Sequence, residues 1–324
     1  MTHVHQRRYV ARVKRLLVCV LSVGACAHSG LPADHGHHGA ETPVTLPHHL
    51  IDGTSGAPIT DAAFDDQLRA ARVIYVGEEH PNPHHHAAQI EVLTRALTLE
   101  PRVALGLEML PRTLQPEVDK YLANTLDDAQ FVAAVDWPKT WGFPFGLYRP
   151  LLALCRDHHQ PAYALNAPKG LTRAVSHKGI EGLSADEKKE LPEMVPGPEE
   201  HRAYVREALA GHDMGHGKPT PEQMERFYLA QLVWDETMAE SIAKALAAEG
   251  APAKMVVVAG VGHTRRVAIP ERAKRRGAQP YVTIVPVLEK DVAEALAKKA
   301  GDVLWVLELP KAGHDVWAVE QGGK

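Results

Sequence analysis

Cysteine is scarce in this chain: three residues in 324, too few for a disulfide scaffold. No apolar run reaches the roughly 20 residues that a membrane-spanning helix needs. A strong charge of one sign is also missing. The formal net charge is −4 and the pI about 6.6, which argues against a nucleic-acid binder built on phosphate contacts. No internal repeat recurs at a fixed period. With 45% hydrophobic and 23% charged residues, the chain as a whole is not disordered, collagenous or coiled-coil. Its length suits two domains or one large α/β domain. What is plentiful is histidine, with 20 residues against 40 acids.

The first 25 residues read as an address. Arg7, Arg8, Arg12, Lys14 and Arg15 precede an apolar run from Leu16 to Val23, and no acid occurs before Asp34. A basic segment, a short apolar core and small residues describe a secretory signal. Val23-Gly24-Ala25-Cys26 resembles the lipobox of bacterial lipoproteins, in which the cysteine carries lipid and becomes the first residue. Lipid on Cys26 would attach the protein to a membrane without a span. Cleavage before Cys26 removes five cations and no anion, taking the net charge from −4 to −9. Residues 26–55 are rich in Gly, Pro and His, show no apolar periodicity, and read as a flexible tether.

The rest, residues 56–324, reads as an α/β unit. Apolar runs at 72–76, 103–107, 162–165, 255–259, 281–287 and 303–309 alternate with helical patterns. This predicts a mostly parallel central sheet flanked by helices. About 90 residues of helical character separate the third and fourth runs, and 168–250 is expected to be a smaller helical cap. Within it, Thr220, Pro221 and Gln223 have capping-box spacing for a helix running to about Glu249.

In an open parallel sheet ligands bind beyond the carboxyl ends of the strands. The first run passes into Gly77-Glu78-Glu79-His80, the second ends on Glu108, the third on Asn166, and the fourth passes into Gly260-Val261-Gly262-His263. Two histidines and several carboxylates should therefore meet at one edge. His80, Glu108 and His263 suit a divalent transition metal with an open position. The same groups with Glu79 suit acid–base catalysis. Of His84, His85 and His86, at the start of a helix, at least two are expected to face solvent. Gly260-Val261-Gly262 is a poor dinucleotide fingerprint, because Arg265 stands where the third glycine belongs.

The paired Gly-x-x-His turns and Glu108 resemble the superfamily of TIKI and TraB proteins, erythromycin esterases and ChaN-type haem-binding lipoproteins. The ChaN type is nearest. The likeness runs from about 70 to 280 and includes Gly106-Leu107-Glu108-Met109, Trp141-Gly142-Phe143-Pro144, Leu147-Tyr148-Arg149-Pro150 and Trp234-Asp235-Glu236-Thr237. The resemblance implies a surface-anchored haem-binding protein of haem or iron uptake, on the outer membrane or cell surface of a bacterium. It implies haem paired across a homodimer, with tyrosine on the iron, which suits ferric haem. Tyr148, Tyr204 and Tyr228 are the candidate ligands in that order, with His212 and His216 as further cofactor contacts. It also implies an alternative, a metal-dependent protease- or esterase-like hydrolase in which His80, Glu108 and His263 hold a metal or act as base and Glu79 or Glu78 assists.

Overall fold

A computed structural model of the chain describes residues 45–210 and 219–308. Eight strands form one sheet: β1 (His48–Asp52), β2 (Pro58–Ile59), β3 (Val73–Glu78), β4 (Val103–Pro111), β5 (Ala162–Asn166), β6 (Lys254–Gly260), β7 (Tyr281–Leu288) and β8 (Val303–Leu307). Their order is β2-β1-β8-β7-β3-β6-β4-β5. From β8 to β5 every pairing is parallel, as the near-continuous apolar runs predict. The chain winds from β3 outward to β4 and β5, returns to place β6 between β3 and β4, then leaves on the other side through β7 and β8. The reversal puts the carboxyl ends of β3, β6 and β4 side by side, where open α/β sheets bind ligands.

Pleat alternation divides the strands between two cores. Ile74, Val76, Leu105, Leu107, Val256 and Val258 face one core. It is covered by α1 (Asp61–Ala70), α2 (Pro83–Leu99), α3 (Gln115–Leu122), α4 (Asp128–Ala134) and α5 (Arg149–Asp157). Val73, Tyr75, Met255 and Val257 face the other. Against them lie α8 (Pro221–Ala247), through Met238, Ile242 and Leu246, and α9 (Ile269–Arg275), through Ile269 and Ala273. The smaller helical part comprises α6 (Lys169–Lys178), α7 (Glu199–Ala210) and α8, with a short turn at Ala185–Lys189. It has apolar clusters of its own around Leu171, Val175 and Val233 and around Val205, Tyr228 and Leu232. α8 opens as its sequence predicts: Thr220 accepts from the Gln223 amide, Gln223 reciprocates, and Pro221 takes the first position.

The expected tether is too long at its C-terminal end. Residues 48–52 are strand β1, antiparallel to β8 over five residue pairs. The His48 ring stacks on Trp305 at 3.9 Å, and His49 Nδ1 lies 2.9 Å from Glu308 Oε1. A strand of five residues beginning His-His carries no periodicity to read; its partner strand creates it. The signal, Cys26 and residues 26–44 lie outside the described residues. Among the described residues no helix is long and apolar enough to cross a membrane.

Candidate functional site

The site is assembled where β3, β6 and β4 end. β3 continues through Glu78, so alternation puts Glu78 on the face of Ile74 and Val76, fully buried. Its Oε1 accepts from the Tyr148 hydroxyl at 2.8 Å and lies 2.7 Å from His80 Nδ1. Its Oε2 accepts from Gln89 Nε2 at 2.8 Å, with His86 Nδ1 at 3.4 Å. Burial alone would raise this carboxyl, but His86, His80 and Gln89 outweigh it and hold Glu78 at about 2. Burial would likewise discharge His80, yet Glu78 and then Glu108 push it above its ordinary value. Trp141 and Phe143 pack on the His80 ring at 4.7 and 5.1 Å.

Glu108, within the buried stretch of β4, accepts from the Gly260 amide at 2.6 Å. Its other oxygen lies 3.3 Å from His263 Nε2. Gly260 is a close-approach position: a Cβ there would sit 3.0 Å from His80 Cε1 and 3.6 Å from Glu108 Oε2. Only glycine lets the imidazole and carboxylate converge over the strand end. On the far side of His263, Nδ1 meets Asp235 Oδ1 at 2.6 Å, with Gln231 Nε2 at 3.1 Å. Burial opposes the imidazolium, but Glu108 and Asp235 raise His263 to about 9. Asp235 itself is fully buried and held below the usual carboxylate range, because His263 and His201 outweigh burial. His201 Nε2 stands 3.0 Å from Asp235 Oδ2. The result is a buried run of alternating carboxyl and imidazole groups, Glu108–His263–Asp235–His201, tying the sheet edge to α8 and α7.

His80, Glu108 and His263 are therefore brought together as the Gly-x-x-His turns predict. Glu79 is not with them. It is half-buried, its carboxyl facing Asn82, Asp291 and Lys290, and burial followed by Asp291 raises it. Glu78, one pleat earlier, has the inward place. His84, His85 and His86 overturn the solvent expectation: all three are buried. His85 Nδ1 accepts from the Glu79 amide at 2.9 Å, and burial, reinforced by His86, drops it to about 3. Asp235, Gln231 and His201 were not foreseen as site residues. Their signal was present: Gln231 and Asp235 sit one turn apart in an otherwise apolar stretch of helix. Asn166 instead secures the backbone, its side-chain amide donating to the Glu108 carbonyl at 2.8 Å.

The transition-metal expectation finds no support in this arrangement. Among the described residues no group of three or more His, Cys, Asp and Glu side chains is placed to hold a metal ion. Both nitrogens of His263 already face carboxylates, and an imidazolium has no lone pair to give.

A model of the family described as haem-binding uptake, Tiki superfamily, ChaN, matches residues 65–273. The chain belongs to this family. A chloroplast protein of Arabidopsis thaliana, RETICULATA-RELATED 5, is 27% identical over 231 residues, covering 65% of this chain and 30% of that protein. This chain thus spans less than a third of the plant protein. Among solved structures, ChaN of Campylobacter jejuni, described with cofacial haem binding, matches with a TM-score of 0.61 at 18% identity. That match covers 80% of this chain and 96% of that one, and it shows a shared fold. An erythromycin esterase, EreC, matches with a TM-score of 0.44 at 13% identity, over 75% of this chain and 77% of that one.

ChaN-family membership makes haem the ligand to test against these residues. An iron ligand needs a donor that a flat macrocycle can approach. Tyr148 fails: it is fully buried, its hydroxyl donates to Glu78, and burial and then Glu78 push the phenol well above its ordinary value. Tyr228 fails as well, being buried with its hydroxyl accepting from the Gly197 amide at 2.9 Å. Tyr204 is the least enclosed of the three: it is half-buried on α7, with the Arg265 guanidinium over its ring at 4.3 Å and bonded to its hydroxyl. Burial raises this phenol and Arg265 pulls it back. His212 and His216 lie outside the described residues.

Proposed function

We propose that this ChaN-family chain is a haem-binding protein of haem or iron uptake, anchored by lipid on Cys26 to a bacterial outer membrane or cell surface. The observation carrying the haem reading is the family match across 65–273. Tyr204, the least enclosed of the three candidate tyrosines, is the ligand to test first, and bound haem would supply a ferric iron for that phenol. The basic segment and lipobox-like Val23-Gly24-Ala25-Cys26 support the anchor, and haem paired between two copies follows the family expectation. The deciding experiment is a hemin titration of the purified protein. A tyrosinate-type Soret spectrum is expected, and Tyr204→Phe should lose it. A wild-type protein that leaves the hemin spectrum unchanged overturns the reading. Cys26→Ser should move the protein from the membrane fraction to the soluble one.

A second reading is favoured by the buried histidine–carboxylate network, which haem ligation does not use. Glu78 orients His80, Tyr148 backs Glu78, and Glu108 faces both histidines. Imidazoliums held by carboxylates are proton donors suited to ester or peptide hydrolysis. Hydrolysis of a panel of esters and peptides, abolished in His80→Ala, supports it; an inert wild-type protein removes it.

A further inference from the structure

We infer that a divalent transition-metal ion binds in a surface cleft beside β1, held by His48 and Glu91 and completed by histidines of the preceding tether. The cleft, about 730 Å³, opens between β1, β2, the start of α1 and α2. Strands β8 and β7 separate it from β3 and the histidine–carboxylate network, and neither reading above uses it. His48 is prepared as a ligand. Stacking on Trp305 at 3.9 Å fixes its ring plane. Its Nδ1 lies 3.4 Å from the Leu46 carbonyl oxygen. A carbonyl can only accept, so Nδ1 carries the hydrogen and, in the neutral ring, Nε2 keeps its lone pair. That lone pair faces Glu91 Oε1 at 3.7 Å. Two acceptors thus confront each other at a spacing too long for a hydrogen bond. Two ligands of one tetrahedral zinc, with bonds of about 2.0–2.2 Å, stand roughly 3.4 Å apart, so a slight closure seats the ion.

The charges around the cleft suit a cation. Arg95 is held by Asp61 and Asp65 at 3.0 Å each and approaches Glu91 Oε1 only to 3.8 Å. Its charge is therefore engaged by two other carboxylates rather than by Glu91. Among the described residues no three His, Cys, Asp and Glu side chains are placed to hold a metal ion, so His48 and Glu91 are part of a coordination shell and not the whole. The chain itself carries the remaining donors. His28, His35, His37 and His38 precede the fold, and a histidine-rich tract is a metal-binding composition. His38 is ten residues before His48, a contour of up to about 35 Å, long enough to turn back on the cleft. Imidazole and carboxylate donors together suit zinc and its divalent neighbours.

The test is a titration of Zn²⁺ alone into the purified full chain, free of any histidine tag, against a chromophoric chelator. Co²⁺ serves as the spectroscopic stand-in. One tightly bound Zn²⁺ per chain is expected, and Co²⁺ should give the visible bands of a tetrahedral site. His48→Ala and Glu91→Gln should each lose both signals, and so should the triple variant His35→Ala, His37→Ala, His38→Ala. Glu91 is part-exposed, so Glu91→Gln should keep the fold, which an unchanged far-UV circular dichroism spectrum checks. A wild-type chain that binds no Zn²⁺ overturns the site. Wild-type binding retained in either His48→Ala or Glu91→Gln shows metal held without the cleft and overturns it as well. Retention in the triple variant overturns the shell shared with the tether.

Discussion

Asp235 faces two buried histidines, one at each carboxylate oxygen. Its removal would leave both without their shared acidic partner in a buried region. Breaking one side of a buried ion pair typically costs about 3–5 kcal/mol, so Asp235→Asn should lower the unfolding free energy by that order in urea titrations. A change within about 0.5 kcal/mol would mean the charges are not coupled as described. The same network sets a pH window. His263 is raised from 6.5 to about 9, so its stabilisation is whole below pH 6.5 and is lost as pH climbs through 9. Glu78 is lowered from 4.5 to about 2, so its share is whole above pH 4.5 and is lost as pH falls toward 2. Both are intact between about 4.5 and 6.5. The thermal midpoint should decline from pH 6.5 to 9, and that decline should shrink in His263→Gln. Equal alkaline slopes in the two proteins would refute the assignment. Cys155, by contrast, is buried with its thiol pushed up to about 12 by burial, and labelling by a thiol reagent should require unfolding.

Elements carry their own instructions to different degrees. α8 is the most explicit: Thr220, Pro221 and Gln223 state where it begins, and the structure agrees. Thr220→Ala removes one half of the capping box and should cost about 1 kcal/mol, read as a shifted urea midpoint with an unchanged slope. α2 shows the limit of such reading. Asn82 caps it, accepting from the His84 and His85 amides, and Pro83 takes its first position. Yet periodicity could not say that three successive histidines are all buried, because they lie under neighbours brought in by the fold. His86, for example, packs edge-on to Tyr148 at 4.6 Å. The pleat resolves Glu78 from Glu79 in the same way. Once β3 is known to extend through Glu78, alternation from Ile74 and Val76 settles which carboxylate points in.

At the scale of the molecule, both edges of the sheet are managed. On one side β1 and β2 cover β8. On the other, the Gln115 side chain stands in for a strand beside β5, donating to the Ala162 carbonyl and accepting from the Ala164 amide, both at 2.8 Å. Uncovered strand edges invite pairing with other chains. Deleting residues 48–59 should expose β8 and produce larger species in light scattering. A deletion variant scattering like the full chain would show that the edge needs no cover.

By itself the sequence determined a mostly parallel α/β sheet, the two Gly-x-x-His turns at its carboxyl edge, and Glu108 beside them, because strand runs, glycine turns and parallel topology are local signals with one spatial consequence. Tertiary structure alone decided the rest. Burial from several elements turned the histidines and carboxylates into a charge-paired network. Pairing with β8 made a strand from residues assigned to a tether. Packing buried Tyr148 and Tyr228 and left Tyr204 half-buried. Each of these depends on neighbours tens to hundreds of residues away, and no local pattern in the chain encodes them.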